Sequence, residues 1–184
     1  MSKLKIIEVE SAAYFSTYKI YNGRKLLVEE PYLGIVLNSL KWLRDEGRMY
    51  LLAFVVMPNH IHFIFKPRDK NTPSKIAHSF GSFTAHDIAK KCEMGNPTWF
   101  NEFKLAALKE KDRDTVIWGD VFVKTITKEK FLFEKIEYIH NNPVNKGWHL
   151  VDERGDYRYS SACFYDYGRQ PIIEIDSLEE IKWE

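Results

Sequence analysis

His60, Ile61 and His62 place two imidazoles two residues apart in an apolar stretch. Side chains alternate across a strand, so on a strand both rings leave one face, roughly 6 to 7 Å apart along the chain. Two neutral imidazoles so placed can grip one divalent metal. The plainer alternative is a pair of ordinary strand histidines. Ile61, Phe63 and Phe65 point the other way and anchor the strand. A second pair, Tyr138 and Asn142, stands four residues apart, which on a helix presents a phenol and an amide on one face. Pro143 follows and biases Asn142 away from helix, into a distorted final turn. The alternative is a tyrosine packed at a helix end, with the asparagine as its stop signal. His140 does not share a face with Tyr138 and reads as structural or phosphate-contacting. His78, His86 and His149 have no evident partner and read as exposed or satisfied.

These groups need a scaffold. A first strand is expected over Ala13–Tyr21, closed by Asn22-Gly23. Pro31 opens a helix in which Tyr32, Ile35, Val36, Leu40 and Leu43 recur at helical spacing, and Gly47 ends it. Arg48–Met57 reads as a second strand, Pro58-Asn59 as a turn, and His60–Phe65 as a third strand. Thr72-Pro73-Ser74 starts a helix running to about Cys92, despite Gly81, whose place inside a helix costs ~1 kcal/mol against alanine. Trp99–Arg113 has no clear period. Val116–Ile126 reads as a fourth strand and Lys130–Asn142 as a further helix stopped by Pro143. The order β-α-β-β-α-β-α is an α+β pattern with a largely antiparallel sheet, a ferredoxin-like split βαβ with helices packed on it.

The 184 residues are a single-domain length, so one domain over 1–184 is expected, with an acidic tail over 170–184. Formal net charge is +1, with 45% hydrophobic and 29% charged residues, which excludes a basic coat protein, an acidic disordered chain and a low-complexity chain. The total hides a split. Lys66–Lys135 holds 14 Lys and Arg against 10 Asp and Glu, whereas Gln170–Glu184 holds 1 Lys against 5 acids. The central region is therefore modestly basic. Cys92 and Cys163 form no Cys-x-x-Cys pair and no disulfide framework, which points to a reducing cytoplasmic setting. The N-terminus lacks a signal-like apolar run, and Leu51–Met57 is too short to span a membrane, so no membrane association is expected.

The motifs together resemble the single-tyrosine HUH transposases of the IS200-like group, and among them the REP-associated tyrosine transposases. The resemblance rests on Tyr14-Phe15-Ser16-Thr17, on Met57-Pro58-Asn59-His60-Ile61-His62, on Ser74-Lys75-Ile76 through Ser82-Phe83, on Tyr138-Ile139-His140-Asn141-Asn142-Pro143 and on Tyr159-Ser160-Ser161-Ala162, in that order. It spans residues 13 to 167. It implies that His60, His62 and Asn142 hold Mg²⁺ or Mn²⁺. It further implies that Tyr138 attacks single-stranded or hairpin DNA to leave a 5′-phosphotyrosine and a free 3′-hydroxyl. A divalent metal offsets charge developing on the phosphate, and a phenol can store the broken bond. An ordinary phenol keeps its proton at neutral pH, so the attack needs assistance, and the metal is the first candidate. Relatives often act as dimers, but this chain shows no obvious dimer helix, so a homodimer stays open as a partner. The middle helix is less basic than is usual in the family, which bears on DNA grip rather than on cleavage.

Lys75, Lys104, Lys109, Lys124 and Lys128 are candidate phosphate contacts, against the alternative of a solvated, salt-bridged surface. Tyr157, Tyr159, Tyr165 and Tyr167 can stack bases or serve as core. The acidic tail is either a loose end or a gate over a DNA groove. Two other functions stay open on the residues: a domesticated hairpin-DNA-binding protein without productive strand transfer, and a metal-dependent hydrolase with water as nucleophile.

Overall fold

The computed structural model describes residues 6–108 and 113–178. Strands form where aromatic and β-branched residues gather: β1 (Ala13–Ile20), β2 (Met49–Met57), β3 (His60–Pro67) and β4 (Trp118–Ile126). They lie in the order β2-β3-β1-β4, and every neighbouring pair is antiparallel. Helix α1 (Glu30–Asp45) carries the chain from β1 past the place of β3 to β2. Helices α2 (Pro73–Gly95) and α3 (Pro97–Ala107) carry it from β3 past β1 to β4. This is the split βαβ arrangement expected from the sequence. Helix α4 (Glu129–His140) and the short α5 (Ala162–Tyr167) follow.

The sheet buries both faces over much of its area. On one face Tyr18, Phe63 and Phe65 pack with Val36, Leu40 and Leu43 of α1 and with Ile76, Phe80 and Ile88 of α2. On the other, Phe15, Val55, Ile64 and Ile126 pack with Leu132, Ile136 and Ile139 of α4. Covered on both sides, β2 has no need to alternate, which accounts for its unbroken apolar run. Each fully buried aliphatic contributes about 1.5–3 kcal/mol, so the three on α4 hold that helix firmly on the sheet.

Helix α2 runs through Gly81 without interruption, and the glycine has a packing reason. A Cβ there would lie 3.0 Å from the Tyr18 ring. The room lets the Tyr18 hydroxyl donate to the Ala77 carbonyl at 2.7 Å. The stretch without a clear period contains α3. Asn96 caps it, its side chain accepting from the Trp99 N–H at 3.2 Å. Helix α4 ends at His140, and Asn142 sits in a 3₁₀ turn over residues 142–144, as Pro143 requires.

The C-terminal segment seals the outer edge of β2. Val56 N donates to the Tyr159 carbonyl at 2.8 Å, and Ser161 N to the Phe54 carbonyl at 3.0 Å. The hydroxyls of Tyr157 and Tyr165 donate to the carbonyls of Val56 and Leu52 at 2.8 and 2.7 Å. Further on, Asp176 N donates to the Leu51 carbonyl, and its carboxylate accepts from Leu51 N, both at 2.8 Å. Arg44 pairs with Glu174 and Asp176 at 3.0 and 3.3 Å. The described part of the acidic tail is thus packed on the sheet and is not a loose end. It covers a sheet edge that would otherwise expose backbone groups, at the side of the sheet opposite β4. No described helix is long and apolar enough to cross a membrane.

Candidate active site

The sheet and α4 bring His60, His62, Tyr138 and Asn142 together within one chain. Parity along β3 turns both histidines to the α4 side, and the rings converge to a centroid separation of 4.7 Å. Tyr138 stands edge-on to His62 at 5.4 Å and to Phe15 at 6.1 Å. It is 49% exposed, so its phenol is open to solvent and to a ligand. Asn142 is buried, and its amide Nδ2 donates to the Tyr138 carbonyl at 2.8 Å. The Asn142 side chain also hydrogen bonds His60.

Neighbours set the state of each imidazole. Thr17 Oγ1 lies 2.8 Å from His62 Nδ1, and Asn59 Oδ1 lies 2.6 Å from His60 Nδ1. Asn59 is itself held by donating from Nδ2 to the Gly23 carbonyl at 3.3 Å. With Nδ1 engaged in each ring, Nε2 is the nitrogen left to bind. Burial pushes the His60 pKa down to about 4; its contact with Asn142 opposes the drop and the Lys19 charge adds to it. Burial pushes His62 down to about 3, with His60 and Lys135 adding to the shift and the Ser16 backbone opposing it. Both rings are therefore neutral at pH 7, the form that ligates metals.

Among the described residues no group of three or more His, Cys, Asp or Glu is placed to hold a metal. The donors on offer to a cation here would be two imidazoles and an amide oxygen, a set whose chemistry fits a divalent metal. A neutral His60 carries one N–H for two oxygen acceptors, Asn59 and Asn142. A divalent cation held by His60 and Asn142 would remove that mismatch. Mn²⁺ accepts nitrogen and oxygen donors alike, and Mg²⁺ prefers oxygen.

Several side chains at the site were not legible beforehand. Lys135 places its ammonium 5.3 Å from the Tyr138 ring centroid and 5.1 Å from that of Phe15. Its position three residues before Tyr138 on a helix was the available signal. Trp148 lies 6.0 Å from His60, with the Lys25 ammonium 5.5 Å from its ring. Thr17 could be found only from the strand register.

His140 is wholly buried; its Nε2 lies 2.8 Å from Ser161 Oγ and its ring packs 5.0 Å from Tyr165. It ties α4 to the C-terminal segment, and full burial favours the structural reading of this residue. Arg154 adds a second tie, bonding Glu137 on α4 and Asp166 on α5, with contacts of 2.5 and 2.8 Å.

The lysine candidates divide. Lys124 is cross-strand from Phe15 and so borders the site, and Lys128 is the residue before α4. Lys75 lies in the first turn of α2 and Lys104 on α3, both helices of the opposite face of the sheet. Lys109 lies outside the described residues. Of the tyrosine candidates, Tyr157 and Tyr165 are tethered to β2 by their hydroxyls.

The fold is that of the transposases that the sequence resembles. The chain belongs to the IS200-like transposase family, whose model, Transposase IS200 like, matches residues 19–142. Membership implies an enzyme that uses a divalent metal. Among solved structures the chain is similar to a REP-associated tyrosine transposase bound to a REP hairpin. The identity is 19% and the TM-score 0.63, over 97% of this chain and 93% of that one. A putative transposase from Deinococcus radiodurans R1 aligns at 15% identity and TM-score 0.43, over 74% of this chain and 92% of that one. No curated protein matches the chain.

Proposed function

We propose that this protein cleaves and rejoins single-stranded or hairpin DNA through a covalent tyrosine intermediate, as a transposase. The observation that carries the reading is the placement of an accessible Tyr138 phenol beside two neutral imidazoles whose Nδ1 atoms are already engaged. The hairpin held by the solved relative supports a hairpin-bearing substrate here as well.

The residues divide the work as follows. Leu132, Ile136 and Ile139 fix α4, so Tyr138 waits in position rather than being recruited. The phenol oxygen bonds to phosphorus while the bond to the 3′ oxygen breaks. The phenolic proton passes to water at this open site, and the departing oxygen takes one up. The phosphotyrosine preserves the energy of the broken linkage, so a second 3′-hydroxyl can reverse the step without a nucleotide cofactor. Lys135 supplies positive charge beside the reacting phosphate. A divalent cation held by His60, His62 and Asn142 would polarise phosphate oxygens when bound.

Incubation with a hairpin oligonucleotide carrying single-stranded flanks, in Mg²⁺ or Mn²⁺, should give an adduct that survives denaturing electrophoresis. Tyr138→Phe should abolish it. Cleavage that persists in Tyr138→Phe without adduct would assign the attack to water, and binding without cleavage in any metal would leave a hairpin-binding protein.

A further inference from the structure

Helix α4 covers only part of the sheet face that carries the histidines. Among the described residues the β4 side stays open, with Asp120, Phe122 and Lys124 all exposed. Register sets Phe122 of β4 opposite Thr17 of β1, and Thr17 opposite His62 of β3, so the three side chains form one cross-strand row. Two strand spacings, about 10 Å, separate Phe122 from His62. Phe122 is 61% exposed. Its neighbours Val121 and Val123 pack against the core on the opposite face, so the strand cannot bury Phe122 without exposing both valines.

An edge strand ordinarily shows polar or charged side chains to water, and a phenyl ring left mostly exposed there gains little from packing. The charges around it point to an anionic chain with flat apolar groups. Lys124 is the next residue of β4 on the same face, cross-strand from Phe15, and Lys135 stands 5.1 Å from the Phe15 ring. Lys19 lies in the following row, between His60 and Asp120. Asp120 repels phosphate, so base edges rather than the backbone fit that end.

We propose that Phe122 stacks the base of a single-stranded nucleotide flanking the scissile phosphate, while Lys124 and Lys135 hold adjoining phosphates. This inference rests on the strand-transfer reading above. Stacking on an aromatic plate between cations is sequence-tolerant, because every base has a flat face. Phe122 therefore positions the strand, and base-edge contacts elsewhere read its sequence.

The test uses fluorescence anisotropy with labelled oligothymidylate of about 20 nucleotides and an abasic strand of the same length. Phe122→Ala should weaken oligothymidylate binding by about fivefold or more and leave abasic-strand binding unchanged. Phe122→Trp should restore the affinity, and its emission should be quenched by the base strand but not the abasic one. Unchanged oligothymidylate affinity in Phe122→Ala, or a Trp variant as weak as the Ala variant, would overturn the proposal. The Tyr138-dependent adduct separates the two readings. Wild-type adduct with Phe122-independent binding overturns the stacking alone. Phe122-dependent binding without wild-type adduct supports the stacking and overturns the reaction.

Discussion

Thr17→Val removes one oxygen from the site and little else. The substitution keeps the β-branched shape that suits the strand. It deletes the Oγ1 that lies 2.8 Å from His62 Nδ1 in a ring only 5% exposed. Without that partner on Nδ1 nothing from Thr17 sets which ring nitrogen carries the proton, and Nε2 is the nitrogen needed for a metal. Loss of such an outer partner typically weakens metal binding 10- to 100-fold. Here the Ser16 backbone also bonds His62 and stays in place. The loss should therefore fall near the lower end, about tenfold, or ~1.4 kcal/mol. Calorimetric titration with Mn²⁺ measures it directly. Adduct formation should slow at limiting Mn²⁺ and recover at saturation, and Thr17→Ser should behave like the wild type. Unchanged Mn²⁺ affinity, or an adduct defect that saturation fails to relieve, would refute the assignment of Thr17 as the group that fixes the His62 tautomer.

Other outcomes follow from the packing around the site. Ser161→Ala removes the acceptor for Phe54 N at 2.9 Å and the partner of His140 Nε2 at 2.8 Å, both buried. It should cost about 2 kcal/mol or more in urea unfolding, because two buried groups lose partners. Gly81→Ala gains ~1 kcal/mol of helix propensity but drives a methyl to 3.0 Å from a buried Tyr18 ring that is packed against Phe63, Phe80 and Trp118. Denaturant titration should show a net loss of about 1 kcal/mol. Native His60 and His140 are pushed down to about 4 and His62 to about 3, mainly by burial. The unfolded chain takes up these protons near pH 6.5, before the native state does. Their contribution is therefore complete above pH 6.5 and is lost as the pH falls through 4 towards 3. The slope reaches at most about 1.4 kcal/mol per pH unit for each histidine, and metal-free stability that stayed flat from pH 7 to 5 would contradict it.

Much of the site was legible because its parts are local. Residues two apart on a strand must share a face, and so must residues four apart on a helix, whatever the rest of the chain does. That is why His60 with His62, and Tyr138 with Asn142, could be paired before any fold was known. The boundary at Pro143 was legible for the same reason, since a proline restricts the residue before it. The strand and helix order, and with it the split βαβ sheet, followed from periodicity. The helix α3 was missed because its buried set, Phe103, Ala106 and Ala107, is too sparse to stand out among charges.

What lay beyond the sequence depends on contacts between distant segments. Thr17 meets His62 only because β1 and β3 pair in one register, and a slip of one residue would turn its hydroxyl to the other face. The same register decides that Phe122 is mostly exposed while Val121 and Val123 are covered. Lys75 and Lys124 are chemically alike, yet the layering sends one to the far side of the sheet and the other to the rim of the site. The tail's net charge suggested a gate or a loose end. Its described residues pair with Arg44 and the β2 backbone, because a sheet edge and a guanidinium supplied partners that no local pattern records. Residue types and short spacings determined which groups could do the chemistry. Strand register and helix docking decided which of them meet.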